Sequence, residues 1–136
     1  MIFRVWDVRK DSMFYFDYDN PIFYFNSNTE IHAMLFSFFE DSIGAPIFEL
    51  DIINVSFSDS PKNHKGYFPK KCQALILQDR DSELVMLTDD TKCPVISLSV
   101  IDSIFSYVQV VGNRFQNPKL YSTFQNKYPR ILNYAR

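Results

Sequence analysis

Two short alternating aromatic runs open the chain, "FRVWD" (3–7) and "MFYFD" (13–17), with the polar stretch "VRKDS" between them. Period-two alternation on either side of a polar break predicts a β-hairpin with a five-residue connection. Asn20 and Pro21 predict a turn, residues 22–25 a brief apolar strand, and "NSN" a loop. The segment "TEIHAMLFSFF" (29–39) fits two patterns. Ile31, Met34, Leu35, Phe38 and Phe39 share a helical face that Thr29 would cap, whereas His32, Met34, Phe36 and Phe38 alternate as in a strand. Periodicity leaves both readings open.

The rest of the chain is punctuated more clearly. Gly44 and Pro46 predict a turn, and from Asp51 onward Ile53, Val55 and Phe57 face one way while Ile52, Asn54 and Ser56 face the other, a half-buried strand. Residues 58–66, "SDSPKNHKG", are a loop by composition. "CQALILQ" and "ELVMLT" predict two strands of a hairpin joined by "DRDS". Pro94 holds the preceding residue extended, "VISLSVIDSIF" fits a strand or a short helix, and "SYVQVV" predicts a closing strand. Gly112 is expected at positive φ after that strand. Asn117 as N-cap and Pro118 at the first helical position predict a helix with Leu120, Tyr121, Phe124 and Tyr128 on its apolar side, ended by Pro129. About six to eight short strands with few helices make the chain mainly β, a barrel rather than an α/β enzyme fold.

Composition supports that class. Fourteen Phe and eight Tyr against three Gly suit pleated surfaces, and 136 residues are enough for one self-sufficient core. Most of the Phe are expected in that core, with some left to face a partner. No run of about 18 apolar residues is present, so no membrane span is expected. Charge at Arg4 and Asp7 leaves no secretory h-region, and Cys72 and Cys93 lack metal-ligand spacing, so reduced, buried thiols in a cytoplasmic setting are expected. Without a secretory route the "NVS" match at 54–56 carries no glycosylation signal. Charge is lopsided: residues 1–60 hold ten acids and three bases, a net of −7, and residues 61–136 hold eleven bases and six acids, a net of +5. Such polarity points to a basic face that meets an anion, to opposite faces that meet in a homo-oligomer, or to halves that interleave and cancel.

Three blocks in order, "FRVWDVRKDSMFYFD", "DSIGAPIFELDIINV" and "VVGNRFQNPKL", resemble the YopX proteins of bacteriophages and prophages. The resemblance spans residues 3 to 120. It implies a β-rich fold whose later part is a small SH3-type barrel, favours the strand reading of "AMLFSFF", and implies a phage or prophage origin and a cytoplasmic location in the bacterial host. It brings no activity with it. The implied organisation is an N-terminal β-hairpin segment over 1–30, an SH3-like barrel over 31–120 and a helical extension over 121–136. Leu50 stands where the family pattern has the Gly of Glu-Gly-Asp, and a reshaped turn is expected there.

Candidate chemistry is sparse. His32 and His64 belong to no nucleophile or metal motif and are expected as a strand residue and a loop residue. Glu49 and Asp51 are two apart, so on a strand both would face one way, where paired carboxylates can bind a metal or share a proton. Capping or solvated edge positions explain them more simply. Asp79, Asp81, Glu83, Asp89 and Asp90 lack the glycine and distal Glu of a calcium loop and are expected in turns. Neither catalytic residues, cofactor nor metal are assigned. Lys62, Lys65, Lys70 and Lys71 flank Tyr67 and Phe68, and Arg114 and Lys119 accompany Phe115 and Tyr121 before Lys127 and Arg130. Bases interleaved with aromatics are the pattern of single-stranded nucleic-acid binding, although a pI near 5.6 is far from that of a strongly basic domain. The expected partner is therefore a host or phage protein, together with self-association. Nucleic-acid binding through residues 62–71 and 114–130 is the alternative, and a ligand-binding or hydrolytic pocket at Glu49 and Asp51 the third reading.

Overall fold

The computed structural model describes residues 2–17, 31–57, 69–100 and 105–132. The chain is mainly β. Strands β1 (Ile2–Asp7) and β2 (Ser12–Asp17) form the expected antiparallel hairpin, with Trp6 opposite Met13. The Asp7 carboxylate closes its turn by accepting the N–H groups of Arg9 (3.0 Å) and Lys10 (3.1 Å). The segment with two readings is a strand, β3 (Ile31–Glu40), paired first with β1 and then with β4 (Pro46–Phe48). This first sheet has the order β2-β1-β3-β4, so it joins strands from both sides of the division expected at residue 30. The expected strand over 22–25 and the loop over 58–66 lie outside the described residues.

β5 (Asp51–Phe57), β6 (Lys71–Gln78), β7 (Leu84–Thr88), β8 (Val95–Ser97) and β9 (Phe105–Asn113) form a second antiparallel sheet in the order β8-β7-β6-β5-β9. It curls into a half-barrel. Register shifts between Ile52 and Ile53 and between Ser56 and Phe57, opposite β9, bend the ladder, as bulges do. "VISLSV" divides into β8 and a 3-10 turn (Leu98–Val100). The half-barrel interior holds Ile53, Val55, Phe57, Ala74, Ile76, Met86, Ile96 and Val108, with both cysteines and Ile47. Phe39 of β3 packs against this core, and the turn after β3 bonds to β9, through Ser42 N–H to the Val108 carbonyl (2.8 Å).

The C-terminal helices α1 (Pro118–Lys127) and α2 (Pro129–Leu132) cover the outer face of the same sheet. Tyr121, Phe124 and Leu132 bury against Ile52, Leu75, Leu77 and Leu87, with Leu120 and Tyr128 alongside, as the helical period predicts. β5 is therefore half-buried only toward its far end: Ile52, on the face expected to be open, is fully covered by the helix layer, while Asn54 is exposed. Two apolar faces also explain the unbroken run in "CQALILQ".

Candidate functional site

The sequence blocks 3–17, 41–55 and 110–120 converge where the two sheets meet. Arg4 of the first block lies buried, its Nη1 donating to Asp51 Oδ1 of the second block at 2.5 Å, its Nη2 to the Glu49 carbonyl at 3.2 Å and to Met34 Sδ at 3.1 Å. The guanidinium sits 4.9 Å from the Phe48 ring centroid. Asp51 Oδ2 accepts the Phe48 N–H at 2.8 Å. The third block joins through Arg114 N–H to the Leu50 carbonyl (3.1 Å) and through Phe115, whose ring stacks on Trp6 at 5.5 Å and 10°. His32 is exposed on β3, 5.1 Å from the same Phe115 ring. The Arg4–Asp51, Arg4–Glu49, Arg114–Leu50 and Trp6–Phe115 contacts each join two of the blocks, so these residues fasten sheet to sheet.

Backbone geometry at this junction differs from expectation at three places. Leu50 takes the left-handed conformation that glycine favours (φ 69°), and its side chain fills the space between the helix-side core and the Trp6, Met34 and Phe48 cluster. The turn therefore accepts Leu in a glycine-like backbone. Glu49 lies in that turn, not on a strand, so it does not share a strand face with Asp51. Gly112 is not at positive φ. It is needed for close approach, because a Cβ there would lie 2.6 Å from Asn117 Cγ and Oδ1. Asn117 occupies the N-cap position, with Pro118 following, but its Oδ1 accepts the Asn113 N–H (3.0 Å) and makes no cap bond to the helix. Asn113 Oδ1 in turn accepts the N–H groups of Phe115 and Gln116.

The carboxylates are occupied by the fold. Burial pushes the Asp51 carboxyl upward, against the pull of Arg4 and the Phe48 N–H, and burial likewise raises Glu49, whose Oε1 accepts the Leu35 N–H at 3.3 Å. Asp41 Oδ1 accepts from Ile43 (3.0 Å) and Ala45 (2.8 Å), and its Oδ2 accepts from Val110 (3.0 Å), which fixes the β3–β4 turn onto β9. Asp79 closes the β6–β7 turn through Asp81 and Glu83, and Asp89 and Asp90 accept the N–H groups of Gln73 and Lys92. Among the described residues, no group of three His, Cys, Asp or Glu is placed to hold a metal ion. Cys72 and Cys93 are free and buried in the half-barrel core, and burial pushes the Cys72 thiol up to about 12, away from thiolate chemistry.

Among the described residues, the expected basic side chains do not form one surface. Lys62 and Lys65, with His64, Tyr67 and Phe68, lie outside the described residues. Lys70 and Lys71 are exposed at the start of β6, where Lys71 lines a polar groove of about 550 Å³ with Asn54, Ser56, Gln73, Tyr107 and Gln109. Arg114 lies at the other end of the ladder. It follows Asn113, which pairs with Asp51, five residues from the Ser56 that pairs with Lys71, a separation of about 17 Å along an extended strand. Its guanidinium packs over the Phe115 and Tyr121 rings at 5.4 and 5.1 Å. Lys119 is exposed in the first turn of α1. Lys127 donates to the Asp89 carbonyl at 2.6 Å.

Sequence reasoning missed a second groove, of about 620 Å³, where the helix layer stops short of β8. Leu77, Val85 and Leu87 make its floor, Val95 and Ile131 (53% and 45% exposed) its rim, and Arg80 and Arg130 line it as well. Neither guanidinium has an ion-pair partner among the described residues, and Asp79 beside them is held in its turn. Arg80 and Arg130 are 50 positions apart, and nothing in the sequence period joins them. A third groove, of about 450 Å³, runs between residues 35–39 of β3 and the segments 82–84 and 97–99. No helix of the described residues is long and apolar enough to cross a membrane. No family model matches the chain, and no curated protein matches it.

Proposed function

We propose that the chain is a YopX-like protein of phage or prophage origin that works in the bacterial cytoplasm as a non-enzymatic protein-binding module. The groove lined by Arg80 and Arg130 carries the reading. An apolar floor with two guanidiniums that have no ion-pair partner among the described residues suits a protein segment that combines an apolar side chain with a carboxylate, since the first gains from burial and the second from the Arg forks. The convergence of the three blocks supports the YopX-like assignment and gives their polar residues a fastening role, which leaves the outer surface for recognition. The test is affinity capture from infected or lysogenic cells, with the wild type beside Arg80→Glu/Arg130→Glu and Val95→Glu. A protein partner captured by the wild type and lost from both variants is expected. Equal capture by all three contradicts the reading.

A second reading, nucleic-acid binding, is favoured by one observation: Tyr107 is exposed in the same groove as Lys71, an aromatic ring beside a base. It predicts binding of single strands that weakens steeply with salt and is lost in Lys70→Glu/Lys71→Glu but kept in Lys119→Glu. No binding at low salt removes it.

A further inference from the structure

The most exposed large apolar side chain among the described residues is Ile43, at 76%, and it stands on a turn held by several hydrogen bonds. Asp41 holds that turn through three backbone N–H groups, the Asp41 N–H returns to the Ala45 carbonyl (2.8 Å), and Gly44 supplies the left-handed step (φ 87°). Ser42 clamps it to β9 twice, by its N–H to the Val108 carbonyl and by its Oγ from the Val108 N–H, both 2.8 Å. Glu40 is exposed at the base of the same turn. A preformed knob with one aliphatic side chain and a neighbouring carboxylate loses little conformational freedom when it docks. That is the chemistry the Arg80/Arg130 groove takes.

Knob and groove lie at different edges of the sheet. The knob sits on β9, the groove on β6, β7, β8 and α2, and the strand order puts β9 and β8 at opposite ends. We propose that the turn at residues 41–45 of one copy seats in the Arg80/Arg130 groove of a second copy, with Ile43 on the apolar floor and Glu40 facing the guanidiniums. This rests on the reading of that groove as a protein-binding face. Two different patches meet in such a contact, so it is heterologous and repeats: each copy keeps a free knob or a free groove, and assembly runs past the dimer or closes into a ring. It also gives a physical meaning to the acidic first half and basic second half of the chain.

The test is light scattering across protein concentration on the full chain and two variants, Ile43→Asp for the knob and Arg80→Glu/Arg130→Glu for the groove, with Ile43→Ser as a second knob variant. All are exposed positions, and circular dichroism checks the fold. The wild type is expected to grow beyond the monomer with concentration, and less so at high salt. Each variant alone is expected to lose all mass above the monomer. An equimolar mixture of a knob variant and the groove variant is expected to form dimers and nothing larger, because one intact knob meets one intact groove. A monomeric wild type, self-association retained by any variant, or a mixture that stays monomeric overturns the proposal. If the wild type is monomeric while capture of another protein still depends on Arg80 and Arg130, only the second copy is excluded. If capture is also indifferent to them, the binding face itself is wrong.

Discussion

On its helix side the five-stranded sheet presents Ile52, Leu75 and Leu87 to Tyr121, Phe124 and Leu132, whereas at its junction with the N-terminal sheet it presents Asp51 to Arg4. Both interfaces are buried, yet they respond to change differently. Apolar contact is non-directional, and its loss scales with the volume removed. A buried ion pair contributes little net stability against an apolar substitute, but removal of one partner strands the other charge. The helix layer is thus a graded fastening and the junction an all-or-none one, sensitive to pH. Arg4 already has one buried nitrogen, Nε, without a protein partner, so the junction has no spare hydrogen bonds to absorb a change.

The contrast can be broken by substitution. Arg4→Ala is expected to lose about 3–5 kcal/mol in chemical denaturation at neutral pH. The loss should be smaller near pH 4. Without Arg4, burial acts on Asp51 against the Phe48 N–H only, so its folded pKa rises further above the ordinary 3.8, and stability is lost as pH climbs from that value through the raised one. Phe124→Ala is expected to cost about 3–5 kcal/mol as well, but with no pH dependence, since no titrating group lies in its cluster other than the tyrosines. A pH-independent Arg4→Ala, or a pH-dependent Phe124→Ala, would erase the distinction. Gly112→Ala should cost about 1–3 kcal/mol in a thermal melt, because the new methyl displaces Asn117 from its bond to Asn113. Glu49→Gln is expected to have the smallest effect and the opposite sign. The amide oxygen keeps the Leu35 N–H and removes a carboxylate whose raised pKa costs stability as pH rises above 4.5, so the variant should match the wild type at pH 4 and melt higher at pH 7.

Periodic features were legible in the sequence. The β1–β2 hairpin, the β6–β7 hairpin, β9 and the apolar side of α1 follow from local signals: apolar runs or periods bounded by turn residues, with Asn117 and Pro118 at the start of the helix. β3 resisted, for a physical reason. It changes partner from β1 to β4 midway and carries a bulge with Phe38 at φ 66°, so its buried positions, Met34 and Ser37, fall three apart, as on a helix. The role of Gly112 is a contact with a side chain five residues on, and no local turn rule contains it. The partnership of Arg4 with Asp51 leaves no period at all, since an ion pair across 47 positions is set by the packing of two sheets. One signal was present: Arg4 shares a strand face with Trp6, and a charge on an apolar face requires a buried partner. The Arg80/Arg130 groove had no such signal, because it exists only where α2 stops short of β8 over β6 and β7.

In the proposed reading, the three blocks hold the two sheets together and the outer surface is left free for a partner. The most direct test is a double-mutant cycle on Arg4→Met and Asp51→Asn, read by chemical denaturation and by partner capture on the same preparations. The predicted result is a double variant more stable than Arg4→Met alone, with a coupling of about 0.5–3 kcal/mol and the capture profile of the wild type. Additive single effects, or a folded double variant that has lost its partner, would contradict it.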